Sequence, residues 1–431
     1  MTDFSAFINK KKQIHGTLKT NYSDEQYKVI AAPHNSNGVI IACPGAGKTK
    51  VLLDRVANLI SAGAQPDNIA LLTFTREAAK QFEERLKEKG LKTTPICSTV
   101  HAMAYKIVME HNGSLDLITD EDLKVILHNV RQVDTYLLEL SDKEIMLEIN
   151  KRRESVDATG WSTIVNAYEA ELTKLKKQDF TSILRAALKV AQPLFKYVYV
   201  DEFQDLSDLQ YEFIQKIGKN YFWFVGDPDQ AIYSFKGSSE RVLKTLTDNR
   251  YPLYYLTKNY RGAQEIVTCA NNIIVNNRGV RKAISSATPH KGEINYFEFE
   301  EFTEELQACK NWQLDKPDSI ALVRTNRLKD AFISAGIKVL TVHESKGLEW
   351  EYVWIAACEE GIFPHVMSEV QEERRLYYVA VTRAKKFLTI SYSLTRKNNK
   401  SEQVKTKSRF VEESKGSISQ ESLMDLGEDW L

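Results

Sequence analysis

Two stretches of this 431-residue sequence carry side chains that could do chemistry on phosphates. The first, Ala42-Cys43-Pro44-Gly45-Ala46-Gly47-Lys48-Thr49-Lys50, follows the apolar run Gly38–Ile41. It fits the phosphate-binding pattern G-x-x-x-x-G-K-[ST], with alanine in place of the first glycine. Gly45 and Gly47 let the backbone N–H groups of the Pro44–Lys50 loop turn inward around an anion, and the helix that follows adds the positive end of its dipole. Lys48 can then reach β/γ-phosphates, and the Thr49 hydroxyl can ligate Mg²⁺. The second stretch is Asp201-Glu202, at the end of the apolar run Tyr197–Val200. A buried strand that delivers carboxylates at its C-terminal end is where α/β sheets place their sites. Asp201 suits the Mg²⁺ that Thr49 also ligates, and Glu202 suits an attacking water. An Asp-Glu pair after a strand is also a common start to a solvated loop; the phosphate loop upstream gives the catalytic reading its weight. Downstream, Gln230 in VGDPDQ could sense a γ-phosphate through its amide.

The elements that must position these groups alternate. GVIIAC, IALLTFT and ICSTV read as strands; KTKVLLDRVANLI and REAAKQFEERLKEKG read as helices between them. Solid apolar strands in a βαβα rhythm predict a buried parallel sheet, hence an α/β fold. Upstream, Ser23 is an N-cap candidate, with Gln26 as its capping-box partner. Residues 116–191 turn polar and helical in period, which predicts a helical insertion. YVYVDE and YFWFVGD resume the sheet. A second alternating series begins at Tyr251 with YPLYYLT and continues through INYFEF, SIALVRT, KVLTVHE, YVWIAAC and KFLTISY. It has no phosphate loop of its own. The expected domains are 1–115 and 192–250 (first lobe), 116–191 (insertion), 251–397 (second lobe) and 398–431 (a mobile polar segment).

Lys+Arg and Asp+Glu both number 58, so net charge does not favour a nucleic-acid or membrane partner, and any basic groove must be local. Five scattered cysteines without a C-x-x-C pair argue for a reducing compartment and against a disulfide framework or structural zinc. No apolar run approaches a membrane-spanning length, and the N-terminus lacks a signal-peptide core, so a cytoplasmic protein, bacterial or phage-encoded, is expected.

VDEFQD, VGDPDQAIYSFKG and NYRG, together with TFTREAA, STVHA, VRTN, TVHESKGLEW, EEGIFPH and EERRLYYVAVTRA, resemble the superfamily 1 DNA helicases of the UvrD/Rep type, in family order from Gln26 to about Phe410. The resemblance implies two RecA-like lobes using ATP and Mg²⁺. It also implies that Gln26 recognises adenine, Tyr260 stacks on it, Glu349 contacts the ribose, and Arg261 and Arg383 reach the γ-phosphate from the second lobe. Catalysis would then rest on Lys48, Glu202, Gln230, Arg261 and Arg383. For single-stranded DNA and its junctions with duplex, the implied contacts are Phe74, Thr75, His101, Tyr233, Phe235, Lys236, His343 and Phe410. Tyr233 and Phe235 alternate as neighbours on a strand would, and such aromatics stack on bases of any sequence. Phe235 and Lys236 stand where the family has Trp and usually Arg. The basic run Lys385, Lys386, Arg396, Lys397, Lys400, Lys405, Lys407 and Arg409 is a candidate groove lining or simply a solvated face.

UvrD-type helicases carry a large accessory domain between RTN and TVHESKG; here Arg327 to Leu340 holds one short helix and a turn. The resemblance implies a minimal, monomeric ATP-driven DNA helicase that tracks along single-stranded DNA with 3′→5′ polarity and unwinds duplex. A strand-remodelling translocase without unwinding and a nucleotide-switched binding module are its competitors. The acidic-apolar tip LMDLGEDWL is a candidate dock for a replication or repair protein, or a solvated tail.

Overall fold

The computed structural model describes residues 22–154, 162–233, 238–248, 251–277, 284–398 and 401–416. Two compact units divide the chain. The first holds residues through Ala42, Lys48–Asp227 and Tyr233–Leu256; the second holds Cys43–Gly47, Pro228–Ile232 and the chain from Thr257.

In the first unit the apolar runs form β1 (Gly38–Ala42), β2 (Ile69–Thr73), β3 (Ile96–Thr99), β4 (Phe195–Asp201), β5 (Gly218–Gly226) and β6 (Leu253–Leu256), in the order β3-β2-β4-β5-β1-β6. Every pairing is parallel. β1 and β2 are buried along their whole length, as their unbroken Val/Ile/Leu/Ala content requires of strands covered on both faces. The parallel α/β sheet expected from the sequence is present. One strand departs from expectation: YPLYYLT was assigned to the second series, yet β6 pairs with β1, Val39 opposite Leu253. Apolar content alone does not say which sheet a strand joins.

Because all six strands run the same way, their C-terminal ends share one edge, where open α/β sheets bind ligands. β1 delivers the phosphate loop there, β2 Phe74 and Thr75, β3 His101, β4 Asp201 and Glu202, and β5 the turn leading to Gln230.

The helical insertion has its own core. Ile126, Leu127, Val130, Ile145, Ile149, Tyr168 and Leu172 pack together from helices Asp120–Val130, Asp142–Glu154 and Ser162–Leu175. Its entry and exit segments meet in a single isolated bridge: Gln178 N–H donates to the Asp116 carbonyl at 2.8 Å, and Ile118 N–H to that of Gln178 at 3.1 Å. The insertion therefore closes at Gln178, short of residue 191, and the helix Phe180–Val190 packs instead on Val100–Asn112.

At this waist Arg153 is fully buried. It forms an ion pair with Asp179, donates to Glu169 at 2.7 Å and to Ser182 Oγ at 2.8 Å, and sits over the Tyr168 ring at 4.9 Å. Asp179 also caps the Phe180 helix, accepting from Ser182 N–H at 2.8 Å. Burial alone would raise the Asp179 carboxyl; Arg153 outweighs it and holds the group below the usual carboxylate range. Its stabilising effect is thus complete above the unfolded pKa near ~4 and is lost as pH falls through the lower folded value. Arg153→Met strands both carboxylates, so we expect a loss of about 3–5 kcal/mol, read as a lower urea midpoint. An unchanged midpoint would show that the network adds no stability.

In the second unit β7 (Lys258–Asn259) and β8 (Ser285–Ser286) form a short ladder. The main sheet has β9 (Glu293–Glu301), β10 (Ser319–Val323), β11 (Val339–Thr341), β12 (Trp350–Ile355), β13 (Ala384–Asn398) and β14 (Ser401–Val404). Its order is β11-β10-β12-β13, with β9 also on β13; all of these pairs are parallel, and β14 folds back antiparallel on the far end of β13. Between β10 and β11 there is only the helix Asn326–Ser334.

Candidate nucleotide site and nucleic-acid contacts

The first unit brings four predicted residues together. Lys48 and Thr49 open the helix Lys48–Ser61, while Asp201 ends β4 and Glu202 follows it. Thr49 Oγ1 lies 3.2 Å from Asp201 Oδ2, and Lys48 Nζ lies 3.5 Å from Glu202 Oε1. Glu202 adopts the left-handed backbone conformation (φ 56°), rare for a residue with a Cβ and recurrent at active sites. That twist turns its N–H onto Asp201 Oδ1 at 2.9 Å. Burial first, and then the Glu202 charge, push the Asp201 carboxyl up to about 7, against the pull of Lys48. A buried carboxylate beside a hydroxyl is a donor pair suited to Mg²⁺, which takes oxygen ligands from one or two protein groups and keeps its waters. The residues fit that ion. Among the described residues no cluster of three or more His, Cys, Asp or Glu could hold a metal without other help.

Two residues of this half escaped sequence reading. Gln204 donates to Glu202 Oε2, and its Oε1 accepts Asp227 N–H at 3.0 Å, so one buried amide ties the β4 and β5 ends together. Gly226 leaves it room: a Cβ there would collide with Gln204. The signal was a polar residue three places after the strand-end carboxylate Asp201. Arg55, also buried, donates to the carbonyls of Val29, Ala32 and Pro33 at 2.8–2.9 Å and stacks on Trp223. It thereby ties down the C-terminal end of the helix Asp24–Ile30, whose N-terminal turn holds Gln26. Gln26 forms the expected capping box, its Oε1 accepting Ser23 N–H at 3.2 Å. Lys50 turns to Asp54 at 3.7 Å and to the Tyr22 ring.

In the second unit, Gly45 has φ 69°, and a Cβ there would lie 2.6 Å from the Arg261 Cβ, so only glycine fits. Its carbonyl accepts Tyr260 N–H at 2.9 Å. Asn259, another residue missed, accepts from the N–H groups of Arg261 (2.7 Å) and Gly262 (2.8 Å), an Asx turn that aims the arginine. Arg261 pairs with Glu349 and reaches the Thr382 carbonyl. Burial opposes ionisation of Glu349, but Arg261 and Lys385 hold its carboxyl below the usual range. Arg383 is 2% exposed and donates to Val379 O at 2.9 Å, Leu348 O at 3.0 Å and Thr382 Oγ1 at 3.1 Å. Glu373, on the helix that precedes Arg383, is held by Arg324 at 2.7 Å. Lys346 Nζ donates to the Gln230 carbonyl at 3.0 Å. The Tyr260 side chain is 44% exposed, open for stacking.

The nucleic-acid candidates separate. Phe74, 38% exposed, stacks on Tyr233 with centroids 5.5 Å apart and planes 8° from parallel. Tyr233 lies in a loop, not on the strand expected; Phe235 and Lys236 lie outside the described residues. Thr75 caps the helix Arg76–Glu88, accepting Ala78 N–H at 3.1 Å. His101 packs edge-on against Phe180. His343 follows β11 in a turn. Phe410 is corrected outright: it is fully buried against Phe363 and Tyr377, with Arg374 over its ring, and cannot meet a base without opening the core. Of the basic run, Lys385, Lys386, Arg396, Lys407 and Arg409 pair with Glu349, Glu351, Glu359, Glu412 and Glu360, so five of its eight charges have a local counter-charge. Lys400 and the tip LMDLGEDWL fall outside the described residues.

Comparison with known proteins agrees with this architecture. Residues 22–250 match the UvrD/REP helicase N-terminal domain, and residues 318–395 the UvrD-like helicase C-terminal domain. A probable DNA helicase of Mycoplasma pneumoniae is 27% identical over 85% of this chain and 82% of its own length. DNA helicase II of Escherichia coli is 27% identical over 61% of this chain, and the ATP-dependent DNA helicase PcrA of Staphylococcus aureus 27% over 60%. The chain spans 41% of the length of each of these two. Among the described residues, no helix is long and apolar enough to cross a membrane. With the phosphate loop, the strand-end carboxylates and both domain matches in place, the chain belongs to the UvrD/REP helicase family.

Proposed function

We propose that this protein is an ATP-driven DNA helicase that moves along single-stranded DNA with 3′→5′ polarity. The observation that carries the chemistry is the meeting of Lys48, Thr49, Asp201 and Glu202 within 3.5 Å contacts at one sheet edge. In this reading ATP draws Lys48 from Glu202 to the β/γ-phosphates. Glu202 is thereby released to polarise the attacking water, while Thr49 and Asp201 would hold Mg²⁺, which supplies charge neutralisation on the phosphates. Tyr260 stacks on the base, Gln26 reads its edge, and Glu349 meets the ribose. Arg261, with Arg383 as the second candidate, is the cation suited to stabilise the transferring phosphoryl group. Phe74 with Tyr233 offers a stacking platform that tolerates any sequence.

The single short helix between β10 and β11 favours a second reading, a compact translocase that strips or remodels without extended unwinding. Strand separation on duplexes with 3′ or 5′ single-stranded tails, beside streptavidin displacement from biotinylated single strands, separates the two. Opening of the 3′-tailed duplex only is the expected result. Displacement with no opening would select the remodelling translocase, and ATPase activity indifferent to single-stranded DNA would sink both.

A further inference from the structure

A small cavity, sized for a single water, lies in the first unit behind the strand-end carboxylates. Asp201, Glu202, Thr73, His101 and Gln210 supply the polar part of its lining, and Phe74, just after β2, lines it with Val100, Val200 and Leu206. His101 Nε2 is buried and makes no hydrogen bond to protein. An unsatisfied buried nitrogen costs about 1–3 kcal/mol, so a partner is demanded, and the cavity beside it offers the room. Gln210 commits its Oε1 to Ser207 N–H at 3.1 Å, which leaves its NH₂ as the donor of this lining residue. A water held there has a ring nitrogen, an amide and carboxylate oxygens within its surroundings, the two to four polar partners that buried waters keep.

The geometry is unlike that of a strand contact. Phe180 covers the imidazole edge-on, and burial pulls the ring's pKa down, favouring neutral imidazole. A neutral imidazole can accept a hydrogen bond at one nitrogen, as a bridging water requires. Phe74 lines this cavity too, and is at the same time partly open to solvent and stacked on Tyr233. The same small space therefore touches the candidate base platform and the candidate catalytic carboxylates.

We propose that His101 is a positioning residue: through one ordered water it links the Phe74 wall to the Asp201–Glu202 turn, so that a base seated on Phe74 sets the hydrolytic carboxylates. This rests on the reading of the protein as a DNA-stimulated ATPase. Small displacements of a catalytic group are costly in rate, so the effect belongs in turnover rather than in strand affinity.

The test compares wild type, His101→Leu and His101→Gln in steady-state ATP hydrolysis across a titration of oligo(dT). For His101→Leu the ratio of DNA-saturated to DNA-free turnover should fall about tenfold, with the half-saturating oligo(dT) concentration unchanged. His101→Gln, which keeps a polar atom for the water, should recover most of the ratio and so separates the water from simple packing. A half-saturating concentration that rises while the ratio at saturation is kept would make His101 a strand contact and overturn the proposal. So would an equal loss in both variants, or no loss in either. Wild-type turnover that ignores oligo(dT) would instead sink the functional reading beneath it.

Discussion

Glu202→Gln should bind ATP and single-stranded DNA yet hydrolyse about 10²–10⁴-fold more slowly, the range expected when a positioned general base is lost. The reasoning starts from the backbone. The left-handed turn at Glu202, held by Asp201 Oδ1, keeps residue 202 where it stands whatever its side chain. The amide is close in shape to the carboxylate, so the Asp201–Thr49 pair should survive. What disappears is the negative charge that Lys48 and Gln204 contact and that a water would be polarised by. The check is phosphate release at saturating oligo(dT), beside binding of a fluorescent ATP analogue. Wild-type turnover would remove Glu202 from its role; lost nucleotide binding would recast it as part of the cradle.

Arg261→Ala should lower kcat by roughly 10³-fold or more, the scale of an arginine finger, with a smaller change in the KM for ATP. Arg261 tests this better than Arg383. Its guanidinium is aimed by the Asn259 turn and restrained by Glu349, whereas Arg383 is bonded to two backbone carbonyls of its own unit. Arg383→Ala would leave those carbonyls without their donor and mix a folding defect with a catalytic one. Glu349→Gln is a useful companion, because loosening Arg261 without removing it should give an intermediate loss. A near wild-type kcat in Arg261→Ala would end the proposal that this residue meets the phosphate.

Much of this site was legible because its chemistry is local in sequence. The phosphate loop needs glycine at 45 for a reason visible in the structure, a backbone turned to φ 69° against Arg261. β4 announces itself by an apolar run that stops at Asp201. The misreadings came from residues whose role depends on what packs against them. Phe410 looks like any exposed aromatic near lysines until Phe363 and Tyr377 enclose it. Arg396 and Arg409 look like a basic groove until the acidic residues of the Glu359-Glu360 turn, distant in sequence, neutralise them. β6 carries no mark of the sheet it joins, because parallel neighbours are chosen by tertiary contacts rather than composition. Gln204 and Asn259 were missed for the opposite reason: each does its work through backbone N–H groups, which a sequence does not display.

The bridge between Asp116–Ile118 and Gln178 makes the insertion a detachable appendage in an architectural sense. Both of its ends leave the sheet domain at one point, so its length and content can change without rerouting any strand. Closing a longer segment across the same gap adds only about 0.6 kcal/mol per doubling of its length. The same gate admits a longer module, a different one or a simple turn. Evolution, or a protein engineer, can therefore regraft what stands beside the motor and leave the motor's wiring intact.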